Sequence, residues 1–254
     1  MVATLWKGVS NVKDKVAIIT GASAGIGRAV ALKMAQKGAK LVLIDINEQG
    51  LIALKKELDL FNNESLLFAI DVTDEELVNK AVLDAVSHFG KIDILINNAG
   101  IWRYFEQFIN IPTEKWQTFF QTNVFSMVYL TKAVIPIMKK NSYGRIVNLA
   151  SVAGVYGNAN MSMYSATKGA IISFTKALAK EVITDGIVVN CVSPGTVSPS
   201  DNLDVNYYEQ TDRCYAGRTG TADENADLIC FLASKDVGYI VGQNILIDGS
   251  RKMV

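Results

Sequence analysis

Seven short apolar runs, rich in β-branched residues, recur along the chain and restrict what it can fold into. They are VAIIT (16–20), KLVLID (40–45), LLFAID (66–71), IDILIN (92–97), GRIVNLA (144–150), IVVNCVS (187–193) and NILID (244–248). The runs are continuous rather than alternating, as in strands covered on both faces, and helical periodicity between them suits βαβ crossovers. Gly38, Gly90 and Gly186 each follow such a periodic segment, where a left-handed helix end is wanted. The pattern predicts one α/β domain over residues 1–254, a mostly parallel, doubly wound seven-stranded sheet with helices on both faces. Only the polar stretch 198–220 breaks the rhythm. A substrate loop or lid is expected at 196–218, with a plain surface insertion as the alternative.

Acidic and basic residues balance at 25 each. No strong field favours nucleic acid or an anionic membrane, so a small molecule is the expected partner. Cys191, Cys214 and Cys230 form no CxxC pair, and their odd number argues against a secreted disulfide framework. The stretch MVATLWKGVSNVKDK (1–15) has no signal-length apolar core, and no segment approaches ~18 uninterrupted apolar residues. A reducing, cytoplasmic setting is expected. The one histidine, His88, has no Ser or Cys motif nearby, and no His/Cys/Asp/Glu group has ligand spacing. Neither nucleophilic hydrolysis nor a metal centre is expected.

VAIITGASAGIGRAV (16–30) reads as strand, glycine turn, helix. Gly21 permits a tight turn, Gly25 and Gly27 let backbone approach a pyrophosphate and the sheet, and helix amides attract the anion. A purely structural turn is the competing reading. The next run ends in Asp45, 18 residues past Gly27, where an acid meets an adenosine ribose diol. That carboxylate repels a 2′-phosphate and Ile46 offers no arginine, which favours NAD over NADP. Arg28 pulls the other way if it reaches a phosphate rather than solvent. Asp71 closes the third run and either bonds adenine or caps the following helix, for which Asp74 or Thr73 is the better candidate. NNAG (97–100) ends the fourth run, so these residues gather at the carboxyl edge of a Rossmann-type sheet, where such folds bind ligands.

SMYSATKGA (162–170) sets Tyr164 and Lys168 one helical turn apart on one face, among small residues that allow close approach. An ordinary amphipathic helix would read the same way. A free tyrosine, with pKa near 10, is a poor base at neutral pH. An ammonium ~4 Å away at an effective dielectric near 20 contributes about 4 kcal/mol, enough to bring the phenol close to working pH. Ser151, in NLASVAG, is placed to donate to a substrate oxygen or to cap a turn. Asn123, in QTNVFS, sits in a long helical segment despite its mediocre propensity, either for a reason or as a surface residue.

Taken in order, TGxxxGIG (20–27), DVT (71–73), NNAG (97–100), Asn123, Ser151, YSATK (164–168), PG (194–195) and IDG (247–249) resemble the short-chain dehydrogenase/reductase family over nearly the whole chain. The resemblance implies an oxidoreductase moving a hydride between a nicotinamide cofactor and a secondary alcohol or ketone. Asn123, Ser151, Tyr164 and Lys168 would form its catalytic group, with Lys168 also bonding the nicotinamide ribose and Asn123 in a water-mediated relay through Lys168. Cofactor contacts would come from Gly21, Ser23, Gly25, Ile26, Gly27, Asp45, Ile46, Asp71 and Val72 on the adenosine side. On the nicotinamide side they would come from Asn98, Ala99, Gly100, Tyr164, Lys168, Pro194, Gly195 and Val197. Trp102, Ala153 and Tyr156 would line an apolar substrate pocket, unless they serve the core or a subunit interface. Helices near 113–139 and 163–183 imply a homotetramer.

Two departures stand out. After PG the run is Thr196-Val197-Ser198-Pro199, leaving Ser198, Ser200 or the Val197 backbone to hold the nicotinamide carboxamide, and Ser250 replaces a usual glycine. A 3-oxoacyl-[acyl-carrier-protein] reductase is the runner-up. Such reductases resemble this chain but prefer NADP and carry a docking arginine where Tyr129 stands, leaving Lys132 and Lys180 as a partial basic patch. A non-catalytic NAD-binding regulatory or scaffold protein is the reading from another class, and the intact Asn, Ser, Tyr and Lys set speaks against it. Steroid, sugar, cyclic-alcohol and acyl substrates all fit the sequence.

Overall fold

The computed structural model describes residues 11–198 and 212–252. The seven runs form β1 (Val16–Thr20), β2 (Lys40–Asp45), β3 (Ser65–Ala69), β4 (Ile94–Asn97), β5 (Gly144–Leu149), β6 (Ile187–Pro194) and β7 (Asn244–Ile247). They join in the order β3-β2-β1-β4-β5-β6-β7. Every pairing is parallel, so the mostly parallel sheet expected from sequence is wholly parallel. Each connection carries a helix, and a helical crossover returns the chain to the same end of the sheet. The helices are α1 (Gly25–Gln36), α2 (Glu48–Asp59), α3 (Glu75–Phe89), α4 (Thr113–Phe120), α5 (Ser126–Lys140), α6 (Ala153–Tyr156), α7 (Ser162–Val182) and α8 (Ala222–Leu232).

Alternation along the strands builds two cores. Ala17, Ile19, Leu41 and Leu43 meet Val30 and Met34 of α1, Leu54 and Leu58 of α2 and Ile229 of α8. Val16, Ile18, Val42 and Ile44 meet Val78 and Val82 of α3, Leu130 and Val134 of α5 and Leu178 and Val182 of α7. Residues of both parities are buried, which is why the runs read as unbroken apolar sequence. Each fully buried aliphatic side chain contributes about 1.5–3 kcal/mol before conformational entropy is counted.

The strand order reverses between β1 and β4, and the crevice at that switch point is where open α/β sheets place ligands. Thr20, the last residue of β1, ties the ends of β1 and β4 together at its base. Its hydroxyl accepts from the amides of Asn98 and Ala99, both at 3.0 Å. Asn98 Nδ2 donates to the carbonyls of Thr20 at 2.9 Å and Gly21 at 3.0 Å. Gly21 adopts φ +62°, and a Cβ on Gly27 would stand 2.1 Å from the Gly21 oxygen. The start of α1 is thus pressed into the turn, an approach only glycine permits. Gly38, Gly90 and Gly186 have φ of +78°, +76° and +77°, as the helix-end reading requires.

β3 ends at Ala69, short of Asp71. Of the loop expected at 196–218, residues 199–211 lie outside the described residues. Its C-terminal flank runs antiparallel to the tail: Tyr215 N donates to Ser250 O, Ala216 N to Gly249 O and Lys252 N to Arg213 O, at 2.9–3.0 Å. Ser250 takes φ +61°. The missing glycine therefore leaves the tail packed, at a cost of about 1–2 kcal/mol for a left-handed residue with a Cβ. Among the described residues no helix is long and apolar enough to cross a membrane.

Candidate active site

Tyr164 and Lys168 lie in the first two turns of α7. Lys168 is only 5% exposed, and its Nζ donates to the Leu149 carbonyl at the end of β5 at 2.7 Å. The ammonium lies 5.7 Å from the centroid of the Tyr164 ring. Burial pulls the Lys168 pKa down to about 8, opposed only by its interaction with the Cys191 thiol. Tyr164 is half-buried, and desolvation pushes its phenol above the usual value while a hydrogen bond with Ser151 pulls it back. The sequence expectation of a phenol brought near working pH is therefore corrected. Leaving water disfavours phenolate and ammonium alike, and here desolvation is the larger effect for each.

Ser151 follows β5 in a short turn. The neighbouring Val152 amide donates to Pro194 O at 3.1 Å, and the Ala153 amide donates to Ser151 Oγ at 3.2 Å. α6 then packs directly on α7, where a Cβ on Gly154 would stand 2.5 Å from the Lys168 carbonyl carbon. The small residues around Tyr164 and Lys168 thus serve close approach, as their composition suggested.

Asn123 does not continue a regular helix. Residues Gln121–Phe125 form a π-helical turn between α4 and α5, a device that aims a side chain out of the usual register. Asn123 is 1% exposed, which rules out a surface residue. Its Oδ1 accepts from Ile101 N at 2.7 Å, and its Nδ2 donates to Ile101 O at 3.0 Å and to Thr167 Oγ1 at 3.1 Å. Thr167 Oγ1 in turn donates to Tyr164 O at 2.8 Å. The amide clamps the strand-exit loop onto α7. A Cβ on Gly100 would lie 3.0 Å from Asn123 Oδ1 and 3.6 Å from Lys168 Nζ, so NNAG, Asn123 and Lys168 meet at one point.

A buried polar chain supports this point from below. Asn97 Nδ2 donates to Thr131 Oγ1 at 3.1 Å and Asn148 Oδ1 at 2.8 Å, and Asn148 Nδ2 donates to Thr175 Oγ1 at 2.9 Å. β4 and β5 are thereby bolted to α5 and α7. Sequence reasoning missed Thr20, Thr167, the Leu149 carbonyl and this chain. Asparagines inside apolar strands at 97 and 148 were the available signal.

At the other end of the crevice, Asp45 accepts from Ser23 N and Asn47 N, each at 2.9 Å, which fixes its carboxylate beside the glycine turn. Arg28 Nη2 contacts both Glu57 oxygens at 2.5 Å, so this guanidinium answers α2. The start of α1 has no side-chain cap and no acid in its first turn. A Cβ on Gly25, at φ +53°, would meet nothing within 4 Å. An open cradle at a helix N-terminus flanked by a fixed carboxylate fits a dinucleotide. Ile26 packs against the first core, Val72 is buried in the second, and Ile46 is exposed. Asp71 turns its Oδ1 to Thr73 N at 2.9 Å, and Asp74 caps α3 through the amides of Glu76 and Leu77 at 3.0 Å. Gly195 abuts Asp248, where a Cβ would fall 2.9 Å from its Cα, and the Ser198 amide donates to Gly220 O at 2.9 Å. Pro199 and Ser200 lie outside the described residues. Trp102 and Tyr156 are exposed, whereas Ala153 is buried behind Ser151.

The family model described as short chain dehydrogenase matches residues 15–209. The 3-oxoacyl-[acyl-carrier-protein] reductase of Vibrio cholerae serotype O1 is 38% identical over 248 residues, 96% of this chain and 100% of its own length. The 2-dehydro-3-deoxy-L-rhamnonate dehydrogenase (NAD(+)) of a Sphingomonas species is 36% identical over 239 residues, 92% of this chain and 94% of its own. The crystal structure of NAD+-bound xylitol dehydrogenase superposes with a TM-score of 0.88 at 32% identity, covering 94% of this chain and 99% of that one.

Lys168 loses its proton near 8 when folded but near 10.5 when its surroundings are water. Between those values the unfolded chain binds more protons, so this group's effect on native stability rises with pH; below 8 its burial costs about 3 kcal/mol. Urea unfolding of the protein should therefore gain about 2 kcal/mol relative to Lys168→Met between pH 7 and pH 9.5. Parallel pH profiles for the two proteins would show that the ammonium is not held out of water.

Proposed function

Because the chain belongs to the short-chain dehydrogenase family and is an oxidoreductase, we propose that it is an NAD-dependent enzyme acting on a secondary alcohol or its ketone. The hydrogen bond between Ser151 and Tyr164, with Lys168 5.7 Å from the Tyr164 ring and beside Gly100, carries this reading. Bound nicotinamide would supply the hydride donor or acceptor. Tyr164 holds and moves the proton at the carbinol or carbonyl oxygen, and Ser151, hydrogen-bonded to the phenol, donates to the same oxygen as charge develops there. Lys168, charged over most of the population at pH 7, keeps positive charge beside the phenol. Asn123 acts as a positioning residue, since Ile101 and Thr167 engage its side-chain amide.

The α1 amides and the Gly25 backbone would hold the pyrophosphate, with Asp45 on the adenosine ribose. Ser23, Ile46, Asp71 and Val72 would border the adenosine, and Asn98, Ala99, Gly100 and the Val197 backbone the nicotinamide side. NAD rather than NADP is favoured by the fixed Asp45 carboxylate and by the pairing of Arg28 with Glu57. The likeness to the Sphingomonas dehydrogenase (NAD(+)) and to the NAD+-bound xylitol dehydrogenase supports the same choice. The reading extends to one functional unit with 196–218 as its substrate loop, Trp102 and Tyr156 near the entrance, a homotetramer and a cytoplasmic setting.

Reduction of a 3-oxoacyl carrier is the second reading, favoured by the name of the Vibrio relative. Tyr129 weakens it, because its hydroxyl accepts from Gln121 Nε2 at 3.1 Å in place of a docking arginine. Lys132 pairs with Glu75 at 3.1 Å, which further depletes the basic patch.

A coenzyme-coupled screen of secondary alcohols and ketones should give turnover with NAD(H) ahead of NADP(H). Tyr164→Phe should bind NAD normally and lose about 10²–10⁴-fold in turnover; retained activity would exclude its acid–base role. Asp45→Ser should shift the NAD/NADP preference at least about tenfold towards NADP, roughly 1.4 kcal/mol. An unchanged ratio would remove Asp45 from the ribose contact.

A further inference from the structure

A cavity lies where the turn after β6, at Gly195 and Thr196, meets the C-terminal tail, lined also by Arg213, Cys214, Arg218, Asp248 and Arg251. Three arginines and one aspartate line it. Arg218 braces the start of α8, with its Nη2 2.6 Å and its Nη1 3.1 Å from the Glu224 oxygens. Asp248 Oδ1 accepts from Ser250 N at 3.0 Å. Arg251 is half-buried and donates from Nη2 to Asn158 Oδ1 at 2.7 Å. Its backbone is held by the antiparallel pairing of tail and loop flank, and Asn158 orients the guanidinium.

That position is tied through Asn158 to the helix that carries Tyr164. Asn158 belongs to the segment after Ser151, and its amide donates to Ser165 Oγ at 3.3 Å, on the residue next to Tyr164. Gly195 and Thr196, which line the cavity, follow Pro194, whose carbonyl accepts from Val152 N at 3.1 Å, on the residue next to Ser151. A guanidinium offers five N–H donors in a planar fork that matches a carboxylate bidentately. Resting on the oxidoreductase reading above, the geometry points to a substrate that carries a carboxylate: a hydroxy acid or oxo acid whose anionic end meets Arg251 while its carbinol or keto carbon lies at Ser151 and Tyr164. The arginine then sets specificity by charge, and neutral alcohols of the same shape lose its fork.

The test pairs hydroxy acids with their neutral amides, such as 3-hydroxybutyrate and 3-hydroxybutyramide, under NAD reduction. The native protein should favour the acid by at least tenfold in kcat/KM. Arg251→Gln should bring that ratio close to one, and Arg251→Lys, which keeps the charge but not the fork, should fall between. Equal use of acid and amide by the native protein overturns the carboxylate site and leaves the oxidoreductase reading standing. Binding gives a readout independent of turnover: calorimetric titration of the NADH-loaded protein with butyrate and with butyramide should show butyrate binding at least tenfold more tightly, an advantage lost in Arg251→Gln. No preference for butyrate, or a stronger response to a phosphate monoester, overturns the proposal even if no alcohol is oxidised. Butyrate preference without any turnover would sustain the anion site and sink the catalytic reading instead.

Discussion

A lysine ammonium taken out of water and held on a backbone carbonyl is the contact around which the crevice is arranged. Lys168 reaches the Leu149 oxygen from the second turn of α7, which requires α7 to lie directly against the end of β5. Gly154 makes that approach possible, and Asn123 with Thr167 locks the opposite side. Burying the charge is costly, and the fall of the Lys168 pKa to about 8 measures that cost. The lysine, rather than the phenol, is thus the member of the pair that titrates nearest neutrality.

This alters the electrostatic picture expected for the pair. A phenol and an ammonium in water-poor surroundings are each disfavoured in their charged forms, and their mutual attraction must overcome both penalties. The Ser151 hydrogen bond pulls the Tyr164 phenol back towards its ordinary value without outweighing desolvation. In the reaction proposed above, Tyr164 moves the proton while Ser151 donates to the substrate oxygen and Lys168 keeps its positive charge beside the phenol, over the Thr131–Asn97–Asn148–Thr175 chain.

Much of the fold was legible because parallel strands buried on both faces leave an unmistakable apolar run. β1 and β2 begin and end where VAIIT and KLVLID do. β3 stops short of Asp71 because that carboxylate turns back onto Thr73 N, and sequence alone does not distinguish a strand end from an Asx turn. The π-helical turn at Asn123 was invisible, since it differs from an α-helix only in which carbonyl each amide reaches. Arg28 could be placed at the start of α1 but not aimed, because its partner Glu57 stands on the next helix. The direction of the Tyr164 pKa was misjudged for a related reason: periodicity gives the spacing of two charges, whereas their desolvation is a property of everything packed around them.

The most direct test of this account is a side-chain NMR titration of the protein carrying ¹³Cε-lysine and ¹³Cζ-tyrosine, with Lys168→Met and Tyr164→Phe used to assign the two signals. The account predicts that Lys168 titrates near 8 and that Tyr164 titrates above the ordinary phenol value. A Tyr164 signal that moves first, below Lys168, would contradict it and return the site to a simple ammonium-stabilised phenolate.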